Sequence, residues 1–111
     1  MDRNFNPVRM ALVGLNFGAG LAERQLIGRP IESKLKIIAV CDRNRARAEA
    51  FGTRHKLPFC TELEQVLNNP AVEAVMLMIP PAGRSAVVRE CLAAGKHVLT
   101  TKPFDLDADA A

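Results

Sequence analysis

Short apolar runs alternate with amphipathic stretches along the whole chain. Val8–Val13 is short and mostly apolar, Leu35–Cys41 is rich in β-branched residues, and Ala74–Ile79 is apolar without interruption. Runs of this length without alternation predict strands of a parallel sheet, buried on both faces. Pro58–Cys60 and His97–Thr101 predict two further strands. A first helix is predicted from Gly18 to Ile27, with Leu21, Ala22, Gln25 and Leu26 on one side and Gly28 and Pro30 at its end. Asn44 is placed to cap a second helix with Ala46, Ala50 and Phe51 as its inner face, and Gly52 weakens its last turn. Thr61 and Glu64 form a capping-box pattern for a third helix that runs to about Asn68, before Pro70. The fourth is expected from Arg84 to Ala94, turning Val87, Val88, Cys91 and Leu92 inward, with Gly95 as its stop. Strict strand–helix alternation predicts an α/β domain: a doubly wound parallel sheet with right-handed crossovers and helices on both faces.

Composition narrows this picture. A chain of 111 residues is one domain and buries enough surface to fold without a staple. Its net charge of +3 helps attract an anionic ligand but falls short of the basic bias of a nucleic-acid binder. The chain has no Tyr and no Trp, which removes base-stacking platforms for single strands. Cys41, Cys60 and Cys91 are far apart and odd in number, with no metal-ligand spacing, so neither a disulfide framework nor a zinc site is expected. A reducing cytoplasm suits such a chain. Met1–Pro7 carries no signal-peptide core, and no apolar run is long enough for a membrane span.

The candidate chemistry begins where the first strand runs into Gly14-Leu-Asn-Phe-Gly-Ala-Gly20. A strand, a glycine turn and a helix N-terminus together set backbone N–H groups against a phosphate. In the G-x-G-x-x-G/A pattern of Rossmann domains, Gly14, Asn16 and Ala19 hold the three key positions, so Asn16 replaces the middle glycine. That glycine lets the backbone approach the pyrophosphate. An Asn tolerates a left-handed conformation, and its side chain either crowds the phosphate or bonds to it. Gly18, or Ala19 beside it, permits close helix packing. Asp42, ending the second strand, is placed to accept both ribose hydroxyls, which favours NAD; Arg43 is the alternative, a partner for the 2′-phosphate of NADP. Arg45 and Arg47 read as a solvated helix face, with Arg45 and Glu49 as an i,i+4 pair. A parse with Gly14, Gly18 and Gly20 matches short-chain dehydrogenases, but those need a catalytic Tyr that this chain lacks. Pro80 and Lys102 follow two strand ends, the edge where such sheets bind ligands. Lys102 is the candidate for chemistry, since an ammonium can orient a substrate hydroxyl or share its proton. His97 reads as structural and His55 as a loop residue.

These residues resemble the N-terminal nucleotide-binding domain of the Gfo/Idh/MocA family of oxidoreductases. The resemblance rests on Ala11–Ala19, Ala39-Val-Cys-Asp-Arg43, Arg47–Gly52, Glu73-Ala-Val75, Ile79-Pro-Pro81 and, above all, Ala94-Gly-Lys-His-Val-Leu99 leading to Lys102-Pro103. It implies NAD(P)-dependent oxidation or reduction of a sugar, polyol or related small molecule. It implies that Gly14, Asn16, Phe17 and Gly18 face the pyrophosphate, that Asp42 and Arg43 border the adenosine ribose, and that Pro80 lies near the nicotinamide. Lys102 matches the lysine of the family's Glu-Lys-Pro motif, which serves catalysis and cofactor contact. The chain departs from the pattern at Asn16, at Thr101 in place of the motif's glutamate, and at Arg84 where histidine is common. Members continue into a second α/β domain that supplies the substrate pocket and usually the oligomer interface. The chain is therefore expected to be a piece of a longer protein that binds cofactor without turnover, with room for self-association. The alternative is a degenerate, non-enzymatic module that senses a nucleotide or binds a partner protein.

Overall fold

A computed structural model describes residues 6–100 of the chain. Five parallel strands form one sheet in the order β3-β2-β1-β4-β5. They are β1 (Val8–Val13), β2 (Leu35–Cys41), β3 (Phe59–Cys60), β4 (Ala74–Leu77) and β5 (His97–Leu99). Helices α1 (Leu15–Gln25), α2 (Arg45–His55), α3 (Leu63–Leu67) and α4 (Arg84–Ala93) connect them, with a 3-10 turn at Pro30–Ser33 that the apolar pattern does not announce. Each crossover joins strands that run in the same direction, which is the reason for the strand–helix alternation.

The two sheet faces carry separate cores. On one, Met10, Leu12, Ile37 and Val40 meet Ala22 and Leu26 at α1 and Ala48 and Phe51 of α2. On the other, Ala11, Val13, Val75 and Leu77 meet Val66 of α3 and Cys91 of α4. The central strands β1 and β4 are consequently apolar at consecutive positions rather than alternate ones.

Several elements differ from the sequence expectation. Helix α1 starts at Leu15, three residues before Gly18, because Leu15 is a core residue with 1% exposure and its N–H is captured by Asp42. Gln25 stays exposed. Strand β4 ends at Leu77, although the Met78 N–H still reaches the Val13 carbonyl at 2.8 Å. The inner face of α2 is Ala48, Phe51 and Gly52, while Ala46 and Ala50 face outward. Gly52 has a packing reason: a Cβ there would stand 2.8 Å from the Leu57 carbonyl oxygen. The Thr61/Glu64 capping box does not form; Glu62 takes the N-cap position of α3 without a side-chain cap bond. On α4 the inward stripe is Arg84, Val87, Val88 and Cys91, and Leu92 is exposed. His55 is the last residue of α2 and hydrogen-bonds Glu23 of α1 at 2.8 Å, so it lies on a helix and not in a loop.

Candidate functional site

The chain order reverses at β1, whose neighbours β2 and β4 lead to opposite sides of the sheet. A crevice opens at this point beyond the carboxyl ends of the strands. Here it is a cleft of about 770 Å³, reached by Gly14 and Asn16 after β1, by Cys41, Asp42 and Arg43 at the end of β2, and by Pro80 and Gly83 before α4. That volume falls within the range of small-molecule and cofactor sites, roughly 300–1,000 Å³.

Gly14 forms the turn that opens the cleft. Its φ of 96° is one that L side chains rarely adopt, and an added Cβ would stand 2.7 Å from the Met78 carbonyl oxygen. Both constraints demand glycine. Gly18, one turn into α1, lies over the sheet: a Cβ there would meet Leu12 and Met78 side chains at 3.0 and 3.1 Å. Its N–H bonds the Gly14 carbonyl at 3.2 Å. Gly18 is thus a packing position beneath the site, and its backbone donor is used within the helix.

An α-helix has no internal partners for its first N–H groups. Leu15 gives its N–H to Asp42 Oδ1 at 2.8 Å. The next two, on Asn16 and Phe17, are those the helix start presents toward an anion. Asn16 is the second residue of α1 and has no positive φ, so glycine is not demanded there by backbone conformation. Its side chain is exposed at the cleft. The tolerance of Asn for a left-handed conformation is therefore not called on; what a glycine would remove is side-chain bulk beside the helix end.

Asp42 is buried, at 7% exposure, and both its carboxylate oxygens accept hydrogen bonds. Oδ1 takes the Leu15 N–H; Oδ2 takes the Asn44 N–H at 2.9 Å and Arg47 Nη1 at 3.2 Å. An ionised carboxylate has about four acceptor sites, which leaves one on Oδ1 of a residue that lines the cleft. Asp42 ties the end of β2 to the start of α1 and to the cap of α2, where Asn44 accepts the Arg47 N–H at 3.0 Å.

Arg47 is exposed on α2, as its position suggests, but it also has a partner there. It pairs with Asp42 and lines the cleft. Arg43 is exposed beside it, so two guanidinium groups stand at the β2 end. Arg45 points elsewhere, with its guanidinium carbon 5.7 Å from the centroid of the Phe59 ring. Thr61, Glu62 and Leu63 complete that end of the cleft; the sequence pattern points to Thr61 only as a helix cap and to the other two not at all. Pro80 lines the opposite end. His97 is exposed at the start of β5 and is no part of the cleft lining. Lys96, by contrast, is buried and donates to the Asn69 and Val72 carbonyls at 2.9 and 2.7 Å, a structural clamp behind β4. Lys102 lies outside the described residues, as does Thr101. Among the described residues no group of three His, Cys, Asp or Glu side chains is arranged to hold a metal ion, and no helix is long and apolar enough to cross a membrane.

Comparison with known proteins agrees with this architecture. The profile of an oxidoreductase family with an NAD-binding Rossmann fold, Gfo/Idh/MocA, matches residues 8–111. The chain is 34% identical over 109 residues to the human trans-1,2-dihydrobenzene-1,2-diol dehydrogenase, covering 97% of this chain and 31% of that protein. It is 29% identical over 103 residues to the dTDP-3,4-didehydro-2,6-dideoxy-alpha-D-glucose 3-reductase of Saccharopolyspora spinosa, covering 92% of this chain and 30% of that enzyme. Among solved structures, the 3-ketoreductase KijD10 of Actinomadura kijaniata in complex with NADP superposes with a TM-score of 0.72 at 28% identity, covering 89% of this chain and 31% of that one. The chain spans about a third of the length of these relatives.

Proposed function

Because the chain belongs to the Gfo/Idh/MocA oxidoreductase family through its NAD-binding Rossmann fold, we propose that its cleft holds a nicotinamide dinucleotide. In this reading the domain is the cofactor-binding part of a dehydrogenase or reductase of a sugar, polyol or related small molecule. The observation that carries it is the Gly14 turn: a backbone cradle that a Cβ would fill, set against the first N–H groups of α1. These groups favour the pyrophosphate through hydrogen bonding and the helix dipole. The remaining acceptor site of Asp42 Oδ1 suits one ribose hydroxyl. Pro80, at the other end of the cleft, borders the nicotinamide. Hydride transfer is the chemistry that the nicotinamide supplies when bound. Lys102 would orient the substrate hydroxyl or carbonyl and exchange its proton. The names of relatives support the substrate class, a sugar nucleotide in one case and a diol in another.

At the adenosine end, two influences oppose each other. Asp42 favours the free ribose of NAD, whereas Arg43 and Arg47 favour the 2′-phosphate of NADP. Arg47 also neutralises Asp42, which lowers the repulsion that a phosphate would meet there. The chain is therefore proposed to bind both dinucleotides with modest discrimination, in a reducing, cytoplasmic setting. A neighbour solved with NADP supports acceptance of the phosphorylated form.

Isothermal titration of the 111-residue chain with NAD(H) and NADP(H) tests the proposal. Saturable binding of one dinucleotide per chain is expected, and the absence of heat at millimolar cofactor sinks it. Asn16→Gly reports on the helix start. Tighter binding means that the Asn16 side chain crowds the pyrophosphate; weaker binding makes it a ligand.

A further inference from the structure

Cys41 ends β2 and Cys60 ends β3, and the two are direct partners in the parallel ladder. Their side chains share one sheet face: Cys41 is buried in the cluster beneath α3 and α4, and Cys60 packs against that same cluster. The spacing of paired strands puts their Cα atoms about 4.8 Å apart, inside the roughly 4.4–6.8 Å range that disulfides occupy. Hydrogen bonds lock the register on both sides, from Val40 N–H to the Pro58 carbonyl at 3.0 Å and from Asp42 N–H to the Cys60 carbonyl at 3.1 Å. Burial, and then the neighbouring Cys60 through its charge and a thiol hydrogen bond, push the Cys41 thiol up. Cys60 is the accessible member, half-buried, with Sγ 3.6 Å from the Glu62 carbonyl to which it donates. Cys41 reaches the cleft wall, and Asp42 follows it directly.

We infer that Cys41 and Cys60 form a reversible disulfide that lowers the affinity of the cleft for its dinucleotide. The coupling rests on the function proposed above; the cross-link itself does not. A low-molecular-weight disulfide of the glutathione type is the oxidant. The Cys60 thiolate attacks one of its sulfurs, one thiolate leaves, and a mixed disulfide stands on Cys60. Cys41 then gives its proton to the thiolate released in the first step and its sulfur attacks Cys60 Sγ, expelling the second thiolate, which takes up a proton from water. Two cysteine thiols lose two electrons and two protons, and the small disulfide gains them as two thiols.

The S–S bond, about 2.05 Å long, draws the two strand ends together. The part free to move is β3, a two-residue strand at the edge of the sheet. Bond formation removes the donation from Cys60 to Glu62 and shifts Thr61, Glu62 and Leu63, which line the adenosine end of the cleft. Sequence alone hides this pair, because only the register of β2 with β3 brings the residues together.

The test compares the folded chain, reduced and after incubation with oxidised glutathione. An unreduced tryptic digest should contain peptide 37–43 joined to peptide 57–84, and dithiothreitol should separate them. Titration with NAD and NADP should then show several-fold weaker binding for the cross-linked chain. By linkage, a saturating dinucleotide should disfavour the cross-link by the same factor. Cys91→Ser should leave the cross-link intact, and Cys41→Ser should trap glutathione on Cys60. The inference is overturned if glutathione remains on Cys60 beside a free Cys41, if Cys91 supplies the partner, or if the cross-linked chain binds dinucleotide as tightly as the reduced one. If the reduced chain binds neither dinucleotide, the proposed function fails and takes the coupling with it, while the peptide map still decides the cross-link.

Discussion

Replacing Asp42 by Ala separates a brace of the fold from a ligand of the cofactor. Three donors converge on this buried carboxylate: the N–H groups of Leu15 and Asn44 at 2.8 and 2.9 Å, and Arg47 Nη1 at 3.2 Å. The bond to Leu15 is buried and spans two elements, so its loss strands a donor at about 1–3 kcal/mol. The bond to Asn44 is part-buried and local, worth about 1 kcal/mol. The Arg47 side chain is 42% exposed, so its ion pair is screened and contributes at most about 0.5 kcal/mol. Together these give a loss of about 2–4 kcal/mol for the chain without cofactor, with a fall in Tm of roughly 4 °C per kcal/mol at this chain length. Urea unfolding followed by circular dichroism measures it. Arg47→Ala, which removes only the screened pair, should cost well under 1 kcal/mol on the same scale. Should Asp42→Ala change stability by no more than about 0.5 kcal/mol, the level of an ordinary surface substitution, the carboxylate is not a brace and the argument is wrong. In titrations both dinucleotides should lose affinity with the turn, and NAD by the larger factor, since in the proposed function it alone relies on Asp42 at the 2′ position.

Other outcomes follow from the same geometry. Gly14→Ala combines a backbone conformation closed to L side chains with a Cβ only 2.7 Å from the Met78 carbonyl oxygen, and should destabilise the chain by about 3 kcal/mol in urea unfolding. Arg43→Ala should weaken NADP several-fold more than NAD in isothermal titration, and an equal loss for the two would remove Arg43 from the 2′ position. The Glu23 carboxyl is held below its ordinary value of 4.5 by the hydrogen bond from His55 first and by Arg54 second. A depressed carboxylate contributes stability above that ordinary value and loses it as pH falls through the folded one. Glu23→Gln should therefore flatten the acid side of the stability–pH curve by a few tenths of a kcal/mol; an unchanged slope would mean that the α1–α2 bridge is inert.

Local chemistry made part of this molecule legible in the sequence. The strand–glycine–helix succession identifies Gly14 as the turn, and the apolar runs identify the sheet, because parallel strands buried on both faces have no alternative pattern. The errors arise where distant residues decide a local choice. Glycine spacing places the start of α1 at Gly18, yet Asp42 captures the Leu15 N–H from the end of the neighbouring strand and the helix begins there. The inner stripe of α4 is masked by Arg84, a buried arginine at its first position, so the apolar pattern puts the exposed Leu92 in its place. On α2, the alanines at 46 and 50 outweighed the true i, i+3, i+4 set of Ala48, Phe51 and Gly52.

Pairing around Asp42 also explains the character of the cleft. Arg47 looks like a surface charge in any helical reading of α2, since nothing within one turn identifies its partner. It enters the site because Asn44 fixes the first turn of α2 beside the end of β2, and Asp42 stands at that end. Asp42 in turn holds the start of α1, so the carboxylate proposed to meet a ribose hydroxyl also sets the helix end proposed to meet the pyrophosphate. Cofactor selectivity and the shape of the glycine turn are then not independent variables. A substitution that reverses the charge at Asp42 to favour NADP should also loosen the helix start, whereas one at Arg43, which is exposed, should alter selectivity alone. Changing cofactor preference without losing the fold is therefore a matter of working on Arg43 and Arg47 and leaving Asp42 in place.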